Sequence, residues 1–154
     1  AVHRGRHPRE AGQVRARVAH PNRGGVQWQA RRGEIHDKFN KEFKKVGVSV
    51  RPSPNYCETN FHKYCIFVED KWQFRNLMSD KNVEAHLHYT YNFANTPILS
   101  KDTAQNMPGT EFFRKHAISI PSNPWLTDQE TDKIIEAVKN CVNEKDLKCF
   151  PDTL

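Results

Sequence analysis

Two histidines, His86 and His88, are the residues in this sequence whose types and spacing best suit chemistry. Apolar and polar residues alternate around them, which predicts a strand over 83–90 with both imidazoles on its polar face. Two imidazoles placed in this way could ligate a metal ion, with His62 or Cys65 as a third ligand. Two histidines on one solvent-facing strand are more commonly simple polar residues, so we expect no metal site.

The four cysteines give no sign of a zinc ribbon or a redox motif, because no two of them form a C-x-x-C pair. Cys57, Cys65, Cys141 and Cys149 are expected to be free thiols in a reducing cytoplasm, where we place the protein. A cysteine nucleophile needs a base within reach. His62 lies three residues from Cys65, and on a strand such residues face opposite sides. We therefore expect no thiol catalysis.

The elements that must position these residues are predicted from periodicity and turn signals. An apolar stripe predicts a helix over 27–46 that ends at Gly47. A run of aromatic and β-branched residues predicts a strand over 61–69. Asp70 is placed to cap a helix over 71–80. The side chains expected to face inward from that helix are Trp72, Leu77 and Met78.

The second half of the chain contains a predicted loop over 91–110, a short helix over 111–116 and a strand over 117–120. Thr127 and Glu130 form a capping box that opens a last helix. Together the elements predict an α+β domain with a small, mostly antiparallel sheet and helices packed on it. A further short strand is expected at Val48 and Val50. The aromatic residues expected in the core are Trp28, Phe39, Phe61, Trp72 and Trp125.

Charge is concentrated at the amino terminus. The net charge is +6, and residues 1–25 hold six arginines against the single acid Glu10, a local balance of +5. This segment lacks large apolar side chains, so we predict a flexible leader over 1–25, one domain over 26–142 and a frayed tail over 143–154. A polyanion-binding arm is the alternative for the leader. It has no aromatic residues to stack on bases, so we do not expect nucleic-acid binding. No apolar run reaches the roughly 20 residues that a membrane helix needs.

Several short segments resemble, in their order and spacing, the C-terminal domain of the DegT/DnrJ/EryC1/StrS aminotransferases. The resemblance covers residues 28–140 and is strongest over 61–138. The segments that carry it are His62-Lys63-Tyr64, where the family has His-Leu-Tyr, then His88-Tyr89, Ser119-Ile120-Pro121 and Leu126-Thr127 with Glu130.

The resemblance implies the small domain of a fold-type I, pyridoxal-phosphate-dependent sugar aminotransferase, with His88 and Tyr89 at the edge of the site for cofactor or sugar. Family members carry the Schiff-base lysine in a large N-terminal domain, and Lys63 does not occupy that position. We therefore expect no catalytic residue and no cofactor in the isolated chain. Pyridoxal phosphate is expected only if a partner supplies a large domain.

Three functions remain open at this point. The first is an orphan or truncated small domain that acts as a binding or assembly module. The second is one subunit of a split aminotransferase. The third is a polyanion-binding protein that uses residues 1–25. Because family members work as dimers, the expected partners are a second copy of this chain or a separate large-domain chain.

Overall fold

The computed structural model describes residues 25–48, 56–91, 107–144 and 149–150. Residues 1–24 of the predicted leader, Val50 of the predicted short strand and residues 92–106 of the predicted loop lie outside this part. Val48 is buried but belongs to no strand.

Four helices and three strands make up the described part of the chain. They are α1 (Gly25–Lys44), β1 (Tyr64–Phe67), α2 (Lys71–Asp80), β2 (His86–Leu87), α3 (Pro108–His116), β3 (Ala117–Ile120) and α4 (Asp128–Glu144). The strands form one sheet in the order β1-β3-β2, and both pairings are antiparallel. The predicted α+β class is therefore confirmed.

Two strands are shorter than their patterns predicted. The strand expected over 83–90 is reduced to β2. Val83 is buried outside it, and its backbone N–H donates to Met78 O at the end of α2. The strand expected over 61–69 begins only at Tyr64. Phe61, with φ of 51°, adopts a left-handed conformation that breaks an extended run.

Helix α1 covers one side of the core. Ile35, Phe39 and Phe43 are fully buried on its apolar stripe, as the periodicity predicted. Gly47 follows in the left-handed region, with φ of 70°, a conformation that glycine adopts without a steric cost. Helix α1 ends at Lys44, three residues before the predicted end at Gly47.

Helix α2 begins at the predicted cap but buries a different face. The Asp70 carboxylate accepts hydrogen bonds from two backbone N–H groups, at 3.0 and 2.9 Å. Trp72 is 49% exposed, so its predicted core position was wrong. The buried stripe runs through Lys71, Phe74 and Met78, at spacings of three and four residues, and Trp72 lies off it. The Lys71 ammonium donates to Arg114 O near the end of α3.

Helix α4 and the end of the chain close the core. The apolar side chains of α4 that are buried against the core are Ile134, Ile135, Ala137, Val138 and Cys141. On the outside, Lys139 of α4 donates to Glu42 of α1 at 2.8 Å. The hydrogen bonds from Lys139 and then Lys45 lower the pKa of Glu42 to about 2.

Two described residues of the predicted tail, Cys149 and Phe150, pair with the end of β1 and the residue after it. The N–H of Phe150 donates to Phe67 O at 3.2 Å, and the Phe150 ring packs against His116 with centroids 4.6 Å apart. None of the helices in the described ranges is both long and apolar enough to cross a membrane.

The capping box at the start of α4 gives a first testable prediction. The Glu130 N–H donates to Thr127 Oγ1 at 3.1 Å, and the Thr127 N–H donates to Glu130 Oε2 at 2.9 Å. Thr127→Ala is expected to lower the free energy of unfolding by about 1 kcal/mol, measured by urea denaturation. Thr127→Ser keeps the hydroxyl and should match the wild type. Equal stability of the alanine and serine variants would show that the cap contributes nothing.

Candidate functional site

A cleft of about 390 Å³ lies beside the sheet, and its charged lining is entirely basic. It is bounded by α1, the segment before β1, β2, and β3 with the loop that follows. The basic residues lining it are Arg32, His62, Lys63, His86 and His88, and no carboxylate is among the lining residues. Such a lining attracts negatively charged ligands.

The antiparallel register explains how residues distant in sequence meet here. Ser119 of β3 pairs with Cys65 of β1 on one side and with His86 of β2 on the other. Residues directly opposite in neighbouring strands point to the same face of the sheet. The central strand thus places Ser119 between the thiol of one neighbour and the imidazoles of the other.

Ser119 joins Cys65 and His88 in a short hydrogen-bonded network. Its Oγ lies 2.9 Å from His88 Nδ1 and 3.0 Å from Cys65 Sγ. The serine is only 3% exposed. Burial, and then the positive charge of Lys63, lower the pKa of His88 below its ordinary value, which favours the neutral form of the ring.

Tyr89 stands next to this network, although it is not among the residues that line the cleft. Its ring meets the His88 ring edge-on, with centroids 5.5 Å apart. The Lys63 ammonium lies 5.4 Å from the Tyr89 ring centroid, a cation–π contact. Tyr89 is 63% exposed, so most of its ring is open to a ligand or to another protein surface.

Asn123 adds a buried donor to the cleft wall. Its Oδ1 accepts a hydrogen bond from the Trp125 N–H at 3.1 Å, which fixes the orientation of the amide. Its Nδ2 is buried and has no hydrogen-bond partner among the described residues. A buried donor without a partner costs about 1–3 kcal/mol, and an acceptor on a ligand or a water would remove that cost.

Comparison with known families now identifies the fold and its relatives. The model of the DegT/DnrJ/EryC1/StrS aminotransferase family matches residues 26–139. The chain belongs to this family. The match includes every element that lines the cleft.

Solved structures of aminotransferases have the same fold. DesV from S. venezuelae, in complex with a ketimine intermediate, is 18% identical with a TM-score of 0.70, and the match covers 75% of this chain and 32% of that chain. The sugar aminotransferase CalS13 from Micromonospora echinospora is 21% identical with a TM-score of 0.65, covering 74% and 31%. A family member from Brucella abortus is 20% identical with a TM-score of 0.62, covering 73% and 30%. The matched region is thus only about a third of the length of these aminotransferases.

The donor set of this family member's cleft fits an anionic group but not the whole of pyridoxal phosphate. The cofactor needs an acidic partner for its pyridine nitrogen and a lysine for its aldehyde. Because no carboxylate lines the cleft, the described residues do not supply that acidic partner. The basic side chains suit a phosphate or another anion.

The sequence had singled out His86, His88 and Tyr89, and the structure brings them together. The two histidine rings are 6.0 Å apart. Among the residues that the structure describes, no group of three or more His, Cys, Asp or Glu side chains is arranged to hold a metal ion. The role of His88 and Tyr89 at the edge of an active site stays a prediction.

Arg32, Ser119 and Asn123 also line the cleft, and the sequence did not point to them as site residues. Ser119 could have been noticed because it is the single polar residue of the buried strand β3. Arg32 and Asn123 carried no such signal, since their positions depend on how α1 and the loop after β3 pack against the sheet.

Proposed function

We propose that these residues form an aminotransferase small domain that binds an anionic ligand and is not catalytic by itself. The observation that carries this proposal is the lining of the cleft, in which Arg32 and Lys63 are permanently positive, three histidines lie beside them and no carboxylate is present. The family supports a cofactor phosphate or a sugar nucleotide as the physiological anion.

Several features of the cleft favour an anion over a neutral ligand. Arg32 can present a fork of N–H donors, and Lys63 adds a second permanent positive charge. His88 supplies a neutral ring, so its contribution is a hydrogen bond and not a charge. The buried Asn123 Nδ2 is a further donor in the wall. Hydrogen bonds from charged donors contribute about 1.5–3 kcal/mol each, which is enough for measurable binding when two or three act together.

Titration with inorganic pyrophosphate, followed by NMR of the histidine side chains, tests the binding. We expect saturable shifts of His86 and His88, and binding about tenfold weaker in Arg32→Gln than in the wild type. Lys41→Gln is the matched control, because Lys41 is an exposed residue of the same helix that does not line the cleft. If the control weakens binding as much as Arg32→Gln does, or if no saturable shift occurs, the cleft is not an anion site.

A titration with pyridoxal phosphate, followed by absorbance, distinguishes anion binding from attachment of the cofactor in the same protein. We expect no change in cofactor absorbance that saturates at one molecule per chain, because the family resemblance places the Schiff-base lysine in the large domain and Lys63 does not occupy that position. A saturable change of that kind would contradict the non-catalytic proposal.

A split aminotransferase, with its large domain on a separate chain, is the second candidate, and the family match together with a cleft that has no carboxylate among its lining residues favours it. The split aminotransferase is distinguished from the non-catalytic small domain by one expected result: the cofactor spectrum changes when a separate large-domain chain is mixed with this one. Self-association, a cytoplasmic location and polyanion binding by residues 1–25 stay predictions.

A further inference from the structure

We propose that Ser119, supported by Cys65, is a positioning residue that holds His88 as the neutral tautomer with its proton on Nε2. The proposal rests on the anion-binding role of the cleft for its functional meaning, but the tautomer itself can be measured without any ligand. Ser119 lies in the central strand β3 and contacts both Cys65 and His88.

The number of protons limits how the network can be arranged. Ser119 Oγ has one proton and lies within hydrogen-bonding distance of Cys65 Sγ and His88 Nδ1. Its hydroxyl can therefore donate to only one of them and accept from the other. With a neutral imidazole, two self-consistent arrangements exist, and they differ in the direction of both hydrogen bonds.

In the first arrangement the Cys65 S–H donates to Ser119 Oγ, and the Ser119 O–H donates to His88 Nδ1. In the second arrangement His88 Nδ1–H donates to Ser119, and the hydroxyl donates to the Cys65 sulfur. Sulfur is a weak acceptor, whereas the unprotonated imidazole nitrogen is a good one. The first arrangement therefore places the single hydroxyl proton on the better acceptor, and the proton of His88 is left on Nε2.

The surroundings of His88 favour its neutral form, in which only one ring nitrogen carries a proton. Burial and the positive charge of Lys63 both disfavour a charged ring, and His86 and His62 act in the same direction when they carry a proton. No carboxylate is among the lining residues of the cleft to oppose them. A doubly protonated His88 would have to donate to Ser119 from beside these cations.

The chosen tautomer matters for a ligand because it decides what the ring offers. No partner of His88 Nε2 is found among the described residues, so this nitrogen is available to a ligand in the cleft that His88 lines. An Nε2–H group donates a hydrogen bond to an anion, whereas a bare Nε2 lone pair repels it. Ser119 would thus influence anion affinity through His88.

Long-range ¹H–¹⁵N NMR of the ligand-free protein, at a pH where histidine is neutral, tests the assignment directly. We expect His88 as the Nε2–H tautomer in the wild type and in Ser119→Thr, which keeps the hydroxyl. Ser119→Ala should give a mixture of tautomers. Ser122→Ala is the matched control, since Ser122 is another buried serine of the cleft wall, and it should leave His88 unchanged.

Pyrophosphate affinity supplies the second measurement. We expect Ser119→Ala to bind about three- to tenfold more weakly than the wild type, and Ser119→Thr to restore binding. An Nδ1–H tautomer in the wild type would overturn the proposal even if no variant folded. An unchanged Nε2–H tautomer of His88 in a folded Ser119→Ala variant would also overturn the proposal. If the tautomer changes as expected but pyrophosphate binds to none of the proteins, the positioning by Ser119 stands and the anion-binding function fails.

Discussion

Replacing Tyr64 with alanine is expected to lower the free energy of unfolding by about 3–5 kcal/mol. Tyr64 is 1% exposed, and its ring meets Phe39 and Phe43 edge-on at centroid distances of 5.0 and 5.8 Å. Removing the ring loses this burial and leaves a cavity between α1 and the sheet, and both effects destabilise the fold. Chemical denaturation with urea measures the loss.

Two further variants separate the ring of Tyr64 from its hydroxyl. The hydroxyl donates to Asn40 Oδ1 at 2.8 Å, so Tyr64→Phe should cost only about 1 kcal/mol. Tyr56, at 89% exposed, is the control, and Tyr56→Ala should change stability by less than about 0.5 kcal/mol. If Tyr64→Phe destabilised as much as Tyr64→Ala, the hydroxyl and not the packed ring would hold the two layers together.

The sequence predicted the fold best where the determining contacts are local. The strand over 117–120 and the capping box at Thr127 were both correct, because their signals lie within a few consecutive residues. Trp72 was placed wrongly because a short helix offers two overlapping sets of large side chains. Its burial was decided by how α2 packs against the rest of the domain, which no local pattern encodes.

The candidate site was predicted only in part for the same physical reason. The family resemblance pointed to His88 and Tyr89, which are adjacent in sequence. The contacts of Ser119 with Cys65 and His88 span 54 and 31 residues. They exist because β3 lies between β1 and β2, and strand order cannot be derived from the alternation of residues within each strand.

His36 gives the last prediction, a loss of stability in mild acid. Its side chain is buried in α1, 8% exposed, and packs edge-on against Phe61 and Tyr64 at 5.0 and 4.9 Å. Its Nε2 is buried without a hydrogen-bond partner among the described residues. Burial lowers the pKa of His36 from 6.5 to about 4, the neighbouring Asp37 carboxylate opposes this shift, and the charge of Arg32 adds a smaller lowering.

The sign of the effect follows from proton uptake. Between pH 6.5 and pH 4 the unfolded chain takes up a proton at position 36 that the folded chain does not. The contribution of His36 to stability is therefore complete above about pH 6.5 and is lost as the pH falls towards 4. The expected loss over this window is about 2 kcal/mol, reduced from the full linkage value because solvent partly screens the ring.

Substitution at the same position isolates this contribution from those of the other histidines. His36→Gln and His36→Phe cannot titrate here, so subtracting their stability-versus-pH curves from the wild-type curve should leave a step between pH 6.5 and pH 4. The phenylalanine variant should also gain about 1 kcal/mol over the glutamine variant at neutral pH, because it buries no polar group without a partner. Urea denaturation across this range measures both effects. Parallel curves for the wild type and both variants would mean that the buried imidazole does not resist protonation. The packing of His36 between Phe61 and Tyr64 would then not be the cause of any acid sensitivity of the fold.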